Sequence, residues 1–395
     1  MRMHTAPNPA IRKTATGLAL IAALTLTATG CSTVDSGGEM TDESGAHDDI
    51  RSSLNWRASD LGETRAALDG DTLTLDLGAS QLTIDDPEGL NIAFFNAAMD
   101  TTYTQAMAKG VQDMADELGV NVTEFEAGWD ANKQLAQIEN AIDSGKYNAF
   151  VVYAAEGATV CKALTEEAPA ANIAVVPVIT PLCGKTLSKG QDLVAPGTVS
   201  TIMGGGTVEY YEKWADYVSS QITEPTQVVY VAGPSAQDVV MAAEEAVRNA
   251  AEKNPNFELL EVYYADYSGD SALKATQNAL VTHPDTQIVL SHFSTITIGV
   301  LSALADANRD DVQVYDLGGD KTVEQPIVEG KVAASVPYFP YTTGACSVDI
   351  LSSAFQGDSV PQLVLSECGR GGEKTNEQFN TVLDQKIVGD FPFEY

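Results

Sequence analysis

The sequence contains few residue patterns that support covalent or metal chemistry. The Gly-x-Ser-x-Gly nucleophile elbow and the zinc-binding His-Glu-x-x-His pattern are both absent from the 395 residues. The chain has four histidines, and none is clustered with cysteines at the spacing of a metal site. We therefore expect no catalytic residue, no cofactor and no metal site, and the residues of interest are those suited to non-covalent binding.

One loop lies where such binding is expected. Residues 92–95 form an apolar run typical of a buried parallel strand, and the polar loop 96–102 follows directly. After the loop, apolar residues recur at the spacing of one helix face: Met107, Val111, Met114, Ala115 and Leu118. Ligands of open α/β sheets bind beyond the carboxyl ends of the strands. The loop from Asn96 to Tyr103 is therefore a candidate binding wall.

The N-terminal residues have the pattern of an export signal. Arg2, Arg12 and Lys13 precede a short apolar core at 18–26, which is too brief to span a membrane. Small residues then lead to Cys31, as in the bacterial lipobox, so we expect Cys31 to be lipidated. An ordinary secretory signal with a chance cysteine is the alternative. The segment from 32 to about 51 is rich in Gly, Ser, Asp and Glu, which predicts a flexible tether.

Four further cysteines are disulfide candidates in an exported chain. Cys161, Cys183, Cys346 and Cys368 allow three pairings, and the sequence alone does not choose among them. Proximity favours Cys161–Cys183 and Cys346–Cys368. Each bond would contribute about 3 kcal/mol to stability in the loop-entropy model.

The charge of the chain excludes one class of partner. Fifty-five acidic residues against 22 basic residues give a formal net charge of −33, whereas nucleic-acid binding calls for a basic surface. The hydrophobic content of 44% is typical of a globular protein.

Strand and helix patterns alternate through the rest of the chain. A hairpin is predicted at 72–77 and 81–84, and later strands at 120–125, 149–153, 173–179, 227–232, 258–264, 286–291, 312–317 and 331–337. Helices are predicted around 135–142 and at 157–168, 207–221, 236–253, 270–281 and 295–306. Alternation at this spacing predicts an α/β protein of two doubly wound parallel-sheet lobes with a crevice between them.

Several short stretches carry a family resemblance through their order along residues 90–370. These stretches are 109–111 with 117–120, 134–142 with 148–152, 277–280 with 283–285, and 329–334. Together they resemble the ribose-type (type I) periplasmic solute-binding proteins. The resemblance implies two lobes joined by a multi-strand hinge that close on a small ligand, usually a sugar, for an ABC importer.

The resemblance also implies which residues contact the ligand. In the first loop these are Asp100, Thr101 and Tyr103, with Tyr103 covering the apolar face of a sugar ring and Asp100 accepting hydrogen bonds from hydroxyls. The alternative for Tyr103 is packing on its own lobe at the start of a helix. The other implied ligand contacts are Thr180, Gln237, Asp238, Tyr267, His292, Phe293, Asp320 and Tyr338. For His292, a capping or solvent-exposed role is equally compatible with the sequence.

The pocket departs from the ribose-binding pattern. Ile179 and Thr180 stand where ribose binders carry an Asp-Arg pair, and Val240 stands at the position of a ligand-binding Arg. The departures imply a less polar or differently shaped solute than a typical pentose. The glycine run 204–206 precedes a helix, and it favours a hinge over an anion site because no Lys-Ser/Thr follows.

The sequence therefore predicts a non-enzymatic, extracytoplasmic lipoprotein, monomeric and held at the cell membrane through Cys31. It would bind a small neutral sugar or polyol and deliver it to an ABC permease. The alternative is a ligand sensor that presents its closed form to a membrane receptor. The predicted domains are a signal peptide (1–30), a tether with an N-terminal extension (31–88), a first lobe (89–203 plus about 339–368) and a second lobe (204–338 plus about 369–395).

Overall fold

The structure is a computed structural model that describes residues 50–85, 87, 89–365, 368 and 382–395. The predicted signal peptide, Cys31, most of the predicted tether, and residues 369–381 lie outside these ranges. Within the described ranges, no helix combines the length and the apolar character needed to cross a membrane.

The elements are numbered in chain order. The strands are β1 (Arg65–Asp69), β2 (Thr72–Asp76), β3 (Gln81–Asp85), β4 (Asn91–Asn96), β5 (Asn121–Glu126), β6 (Ala149–Tyr153), β7 (Ala174–Val178), β8 (Thr201–Ile202), β9 (Thr226–Ala232), β10 (Phe257–Tyr264), β11 (Ile288–His292), β12 (Gln313–Gly318), β13 (Ala334–Pro337) and β14 (Leu363–Val364). The α-helices are α1 (Ile50–Ser53), α2 (Thr102–Leu118), α3 (Ala131–Ser144), α4 (Ala168–Ala170), α5 (Val208–Gln221), α6 (Asp238–Lys253), α7 (Gly269–Thr282), α8 (Ser294–Asp306), α9 (Glu324–Val328) and α10 (Pro340–Phe355).

The first lobe is built on a parallel sheet with the strand order β14-β8-β7-β6-β4-β5. Successive side chains of β4 point to opposite faces, and both faces are covered. Ile92 and Phe94 share one core cluster with residues of α2 and α10, whereas Ala93 and Phe95 share another with residues of α3. Burial on both faces explains why the strand is an uninterrupted apolar run rather than an alternating pattern.

The second lobe repeats this arrangement on a parallel sheet with the order β10-β9-β11-β12-β13. Val228 and Tyr230 of β9 pack with residues of α5 and α6. Val229 and Val231 pack on the opposite face with residues of α7 and α8. The prediction of two parallel-sheet α/β lobes is confirmed.

Helix α10 returns the chain to the first lobe and packs against α2 at a close glycine crossing. A Cβ atom added at Gly110 would lie 2.0 Å from the carbonyl oxygen of Tyr341, and one added at Gly344 would lie 2.3 Å from that of Met107. The two backbones can approach this closely only because neither glycine carries a side chain. The sequence-based assignment did not include α10.

The N-terminal extension is part of the folded body. Its strands form an antiparallel sheet in the order β1-β2-β3. Before the sheet, the indole Nε1 of buried Trp56 donates to the carboxylate of Asp349 in α10 at 2.6 Å. The side chain of Arg51 forms an ion pair with the same carboxylate at 2.7 Å. The predicted tether therefore ends before Arg51, because this residue is already attached to the first lobe.

Two predicted elements have different limits in the structure. The predicted helix 157–168 begins only at Cys161 and widens into a π-turn at Ala163–Glu167, where Thr165 donates its hydroxyl to the carbonyl of Cys161. The predicted strand 331–337 begins at Ala334, after a turn in which Gly330 has a φ of 74°. Each of these two segments is bounded by a disulfide or turn that apolar periodicity does not reveal.

The structure contains a disulfide between Cys161 and Cys183 and another between Cys346 and Cys368. These are the two pairs that sequence proximity favoured.

Candidate functional site

A cavity lies between the two lobes, where the carboxyl ends of both parallel sheets meet. Its lining residues follow strands of both sheets, with one addition from α5: Thr101, Tyr103, Trp129, Tyr153, Ile179, Gly205, Tyr211, Val239, Tyr267, His292, Phe293 and Tyr338. About 50 Å³ within it can be reached by the centre of a water molecule. One water needs about 10–15 Å³ by this measure, so the cavity has room for a few water molecules.

Tyr103, near the start of α2, is at the centre of a group of aromatic rings. Its ring centroid lies 6.1 Å from that of Tyr153 in its own lobe. Across the cleft it lies 6.4 Å from Phe293 and 5.8 Å from Tyr338. These rings meet edge to face, which is a favourable aromatic geometry. The lobes therefore contact each other through the cavity walls, and Tyr103 does not pack only on its own lobe.

Three cavity residues have a positive φ, a backbone conformation that residues other than glycine rarely adopt. Trp129, Ile179 and Phe293 have φ values of 62°, 65° and 81°. Such residues cost about 1–3 kcal/mol each and persist where surrounding structure holds them, commonly at binding sites. Phe293 is held by a hydrogen bond from its backbone N–H to the carbonyl of Leu317 at 2.5 Å.

The polar groups at the cavity are neutral. Burial lowers the pKa of His292 to about 3, so its imidazole is uncharged at physiological pH. Its Nδ1 atom is hydrogen-bonded to the hydroxyl of Tyr230 at 3.1 Å. Burial also raises the pKa values of Tyr103 and Tyr153, which keeps both phenols protonated. Neither phenol has a hydrogen-bond partner among the described residues, so both can bond a solute.

The wall near the hinge is held by tyrosine hydroxyls. Tyr338 donates to the Tyr211 hydroxyl at 3.3 Å, and Tyr211 donates to the Gly205 carbonyl at 2.5 Å. A Cβ atom at Gly206 would lie 1.8 Å from the carbonyl oxygen of Ile179. The glycine run thus lets one crossover between the lobes pass directly beside the cavity, as a hinge requires.

A family model described as "Periplasmic binding protein domain" matches residues 92–359. The chain belongs to this family. It is a family of binding proteins rather than enzymes, and the periplasmic description implies a location outside the cytoplasm.

Two relatives of this periplasmic binding protein have informative names. The ribose import binding protein of Salmonella typhimurium is 25% identical over 269 residues, which are 68% of this chain and 86% of the relative. The D-apiose import binding protein of Actinobacillus succinogenes is 26% identical over 258 residues, which are 65% of this chain and 78% of the relative.

Solved structures share the fold. The periplasmic ribose ABC transporter structure from Conexibacter woesei has a TM-score of 0.61 at 18% identity, covering 76% of this chain and 94% of its own. A solute-binding protein of Actinobacillus succinogenes bound to D-allose has a TM-score of 0.64 at 16% identity, covering 76% of this chain and all of its own.

Six of the predicted ligand contacts of the binding protein line the cavity. They are Thr101, Tyr103, Tyr267, His292, Phe293 and Tyr338. His292 neither caps a helix nor faces solvent, since it lies in β11 with only 2% of its surface exposed.

Three other predicted contacts hold parts of the cavity rather than line it. Asp100 accepts a hydrogen bond from the indole of Trp129 at 3.0 Å. Gln237 accepts one from the Tyr267 hydroxyl at 2.6 Å. Thr180 donates its hydroxyl to the Ala154 carbonyl at 2.8 Å. All three side chains fix their partners in place.

Asp320 also lies outside the cavity lining. Its carboxylate caps a short 3₁₀ turn by accepting from the Thr322 backbone N–H at 2.7 Å, and burial raises its pKa. Its own backbone N–H donates to the Ser294 hydroxyl at 3.1 Å. The Thr322 N–H and hydroxyl both donate to the Oδ1 atom of Asp320, so the cap uses one carboxylate oxygen, and the expected contact with a solute stays a prediction.

Asp238 connects the two lobes instead of lining the cavity. It begins α6 in the second lobe, and its carboxylate accepts from the Gly157 backbone N–H at 3.2 Å and from the Thr186 hydroxyl. A second connection lies nearby, where Lys189 and Glu212 form an ion pair at 2.7 Å. We call the Asp238 contact the cleft latch.

Six cavity residues were not among the predicted ligand contacts, although Ile179 had been placed at a pocket position: Trp129, Tyr153, Ile179, Gly205, Tyr211 and Val239. Tyr153 is the last residue of β6, while Ile179 and Trp129 follow β7 and β5 closely. The rule that ligands bind at the carboxyl ends of strands points to these three positions. No comparable signal marks Tyr211, which lies inside α5. Within the described part of the chain, no group of three His, Cys, Asp or Glu residues could hold a metal ion.

Proposed function

We propose that this protein is the extracytoplasmic solute-binding subunit of an ABC importer, and that it closes two lobes over a small neutral sugar or polyol. The observation that carries the proposal is the neutral aromatic cavity between the lobes. Aromatic faces suit the C–H faces of a sugar ring, and the phenols of Tyr103 and Tyr153 suit its hydroxyls.

The names of the relatives support transport of a sugar. The similar proteins are named as import binding proteins for ribose and for D-apiose. The sensing alternative has no comparable support. In this proposal, binding involves no covalent step. The cavity offers protonated phenols and an uncharged imidazole for hydrogen bonds, and aromatic ring faces for packing.

The closing mechanism follows from which lobe contributes each wall. Tyr103 and Tyr153 come from the first lobe, and Tyr267 and Phe293 come from the second. A solute between them contacts both lobes only when the cleft is closed, so binding energy stabilises the closed form. In this proposal an ABC permease receives the closed, loaded protein as a monomer.

A thermal-shift screen of the purified protein with sugars, polyols, nucleosides and amino acids tests the solute class, because a solute that binds only the native state raises the melting temperature. Tyr103→Ala and Phe293→Ala should then weaken binding by about tenfold or more, measured by calorimetric titration. Tyr264→Ala is the matched control, since Tyr264 is 46% exposed and lies outside the cavity. Equal affinities in all three variants would place the solute elsewhere.

We also propose that Cys31 is lipidated and holds the protein at the membrane. The support is the lipobox-like end of the N-terminal apolar segment. Cys31→Ser should release the protein or leave an uncleaved precursor. Membrane partitioning of the Cys31→Ser protein at its normal mature mass would contradict the anchor.

A further inference from the structure

The segment 391–395 packs against two rings of the cavity wall, although it lies outside the residues matched by the family model. The ring of Tyr395 lies 5.7 Å from that of Tyr103 in the first lobe. It also stacks at 6.5 Å on Phe293 of the second lobe, with 19° between the ring planes. One side chain thus contacts cavity rings from both sides of the cleft.

The segment is attached to both lobes. Glu394 accepts hydrogen bonds from the Thr342 backbone N–H at 3.0 Å and from the Thr342 hydroxyl. Thr342 lies in the first turn of α10, where the helix dipole favours a carboxylate. On the second lobe, the Tyr395 carbonyl accepts from the Lys321 N–H at 3.0 Å, and the Tyr395 hydroxyl donates to the Gly318 carbonyl.

Phe293 needs such a support. Its φ of 81° is a strained conformation, which persists only where neighbouring groups hold it. Tyr267 contacts the Phe293 ring at 5.5 Å, and Tyr395 stacks on it. Tyr395 does not line the cavity itself, so any effect on a solute passes through Tyr103 and Phe293.

We propose that Tyr395 is a positioning residue of the solute site, which fixes Tyr103 and Phe293 against each other and so sets the selectivity for solutes. The proposal rests on the proposed function in that the cavity is taken as the solute site. Because the ring supplies the contacts, a phenylalanine at this position keeps the effect and an alanine loses it.

The test compares Tyr395→Ala, Tyr395→Phe and the matched control Phe391→Ala. Phe391 belongs to the same segment and packs on Phe339 and Phe393, without a contact to Tyr103 or Phe293. Dissociation constants for D-ribose and D-allose are measured by calorimetry. Tyr395→Ala should weaken binding by about tenfold and change the ratio of the two constants, whereas the other variants should keep the ratio. An unchanged ratio in Tyr395→Ala, or an equal change in Phe391→Ala, overturns the proposal.

A second measurement needs no solute. Trp129 lines the cavity, while Trp56 and Trp214 are buried at 1% and 0% exposure, so acrylamide quenching of tryptophan fluorescence reports mainly on Trp129. Quenching should increase in Tyr395→Ala and stay at the parent level in Tyr395→Phe. Parent-like quenching in Tyr395→Ala overturns the positioning role.

A parent protein that binds no sugar contradicts the proposed function instead. If Tyr395→Phe changes the sugar affinities and the quenching as much as Tyr395→Ala does, the effect comes from the hydrogen bond to Gly318. That result overturns the role of the ring.

Discussion

The cleft latch can be tested with Asp238→Asn. The Asp238 carboxylate accepts two hydrogen bonds from the first lobe, from the Gly157 N–H and the Thr186 hydroxyl. Asparagine keeps one acceptor oxygen and directs an NH₂ group at the other donor. Hydrogen bonds to a charged group contribute about 1.5–3 kcal/mol. Because the latch is partly exposed, we take the lower end, about 1.5 kcal/mol, as the loss.

This loss acts only on the closed form, since the latch joins residues of different lobes. A change of about 1.4 kcal/mol alters an equilibrium constant tenfold, so the closure constant should fall by about tenfold. The apparent dissociation constant of a solute equals the intrinsic value divided by the fraction of competent protein. Affinity should therefore weaken by up to about tenfold, while the melting temperature of the solute-free protein changes little.

Calorimetric titration with a solute from the screen measures the affinity, and small-angle scattering measures the separation of the lobes. Asp270→Asn is the control, because Asp270 is an exposed acid in the first turn of α7 and has no partner across the cleft. Thr186→Val completes a double-mutant cycle with Asp238→Asn, and the two effects should not add. Parent-like affinity and scattering in Asp238→Asn would refute the latch.

Three other predictions concern stability. The pKa of His292, lowered to about 3, lies below its unfolded value near 6.5, so the unfolded chain binds this proton first as the pH falls. Stability should therefore decline from about pH 6.5 toward pH 3, by on the order of 5 kcal/mol in total. Denaturant titrations across this range should give a shallower pH slope for His292→Gln; an identical slope would contradict the buried neutral imidazole. Gly110→Ala should lower the melting temperature strongly because its Cβ would lie 2.0 Å from a carbonyl oxygen of α10, while Gly269→Ala, with its nearest atom at 3.9 Å, should not. Removal of either disulfide by paired Cys→Ser substitution should cost about 3 kcal/mol in unfolding free energy, and non-reducing peptide mapping checks the two pairings.

Apolar pattern was sufficient to predict most of the sheet and helix elements of both lobes. The spacing of Met107, Val111 and Met114 predicts the buried face of α2, since this helix has one side toward solvent. Helix α10 lacks such a pattern because nearly every one of its residues is buried, and polar residues such as Ser347 and Asp349 lie inside. A helix surrounded by protein has no polar stripe for a sequence pattern to reveal.

The candidate site was predictable in part. The predicted aromatic residues line the cavity, whereas the predicted carboxylates do not, and the chemistry of the side chains explains this difference. Tyr103, Tyr267 and Phe293 reach the cavity because large rings in the loops and helix starts that follow the strands pack into the adjacent cleft. Asp238 and Asp320 do not, because each carboxylate finds backbone N–H donors within the protein. Which donors are close depends on tertiary structure, and in the case of Asp238 on the position of the other lobe.

The attachment of the N-terminal extension to Asp349 links the start of the folded body to the first lobe alone. Trp56 and Arg51 are bound to a fully buried carboxylate in α10, on the body of the first lobe. If the proposed anchor at Cys31 holds the chain, the extension therefore ties the first lobe, rather than the second, to the membrane. In the proposed closing mechanism, the second lobe, with Asp238 and Phe293, then moves toward the first lobe.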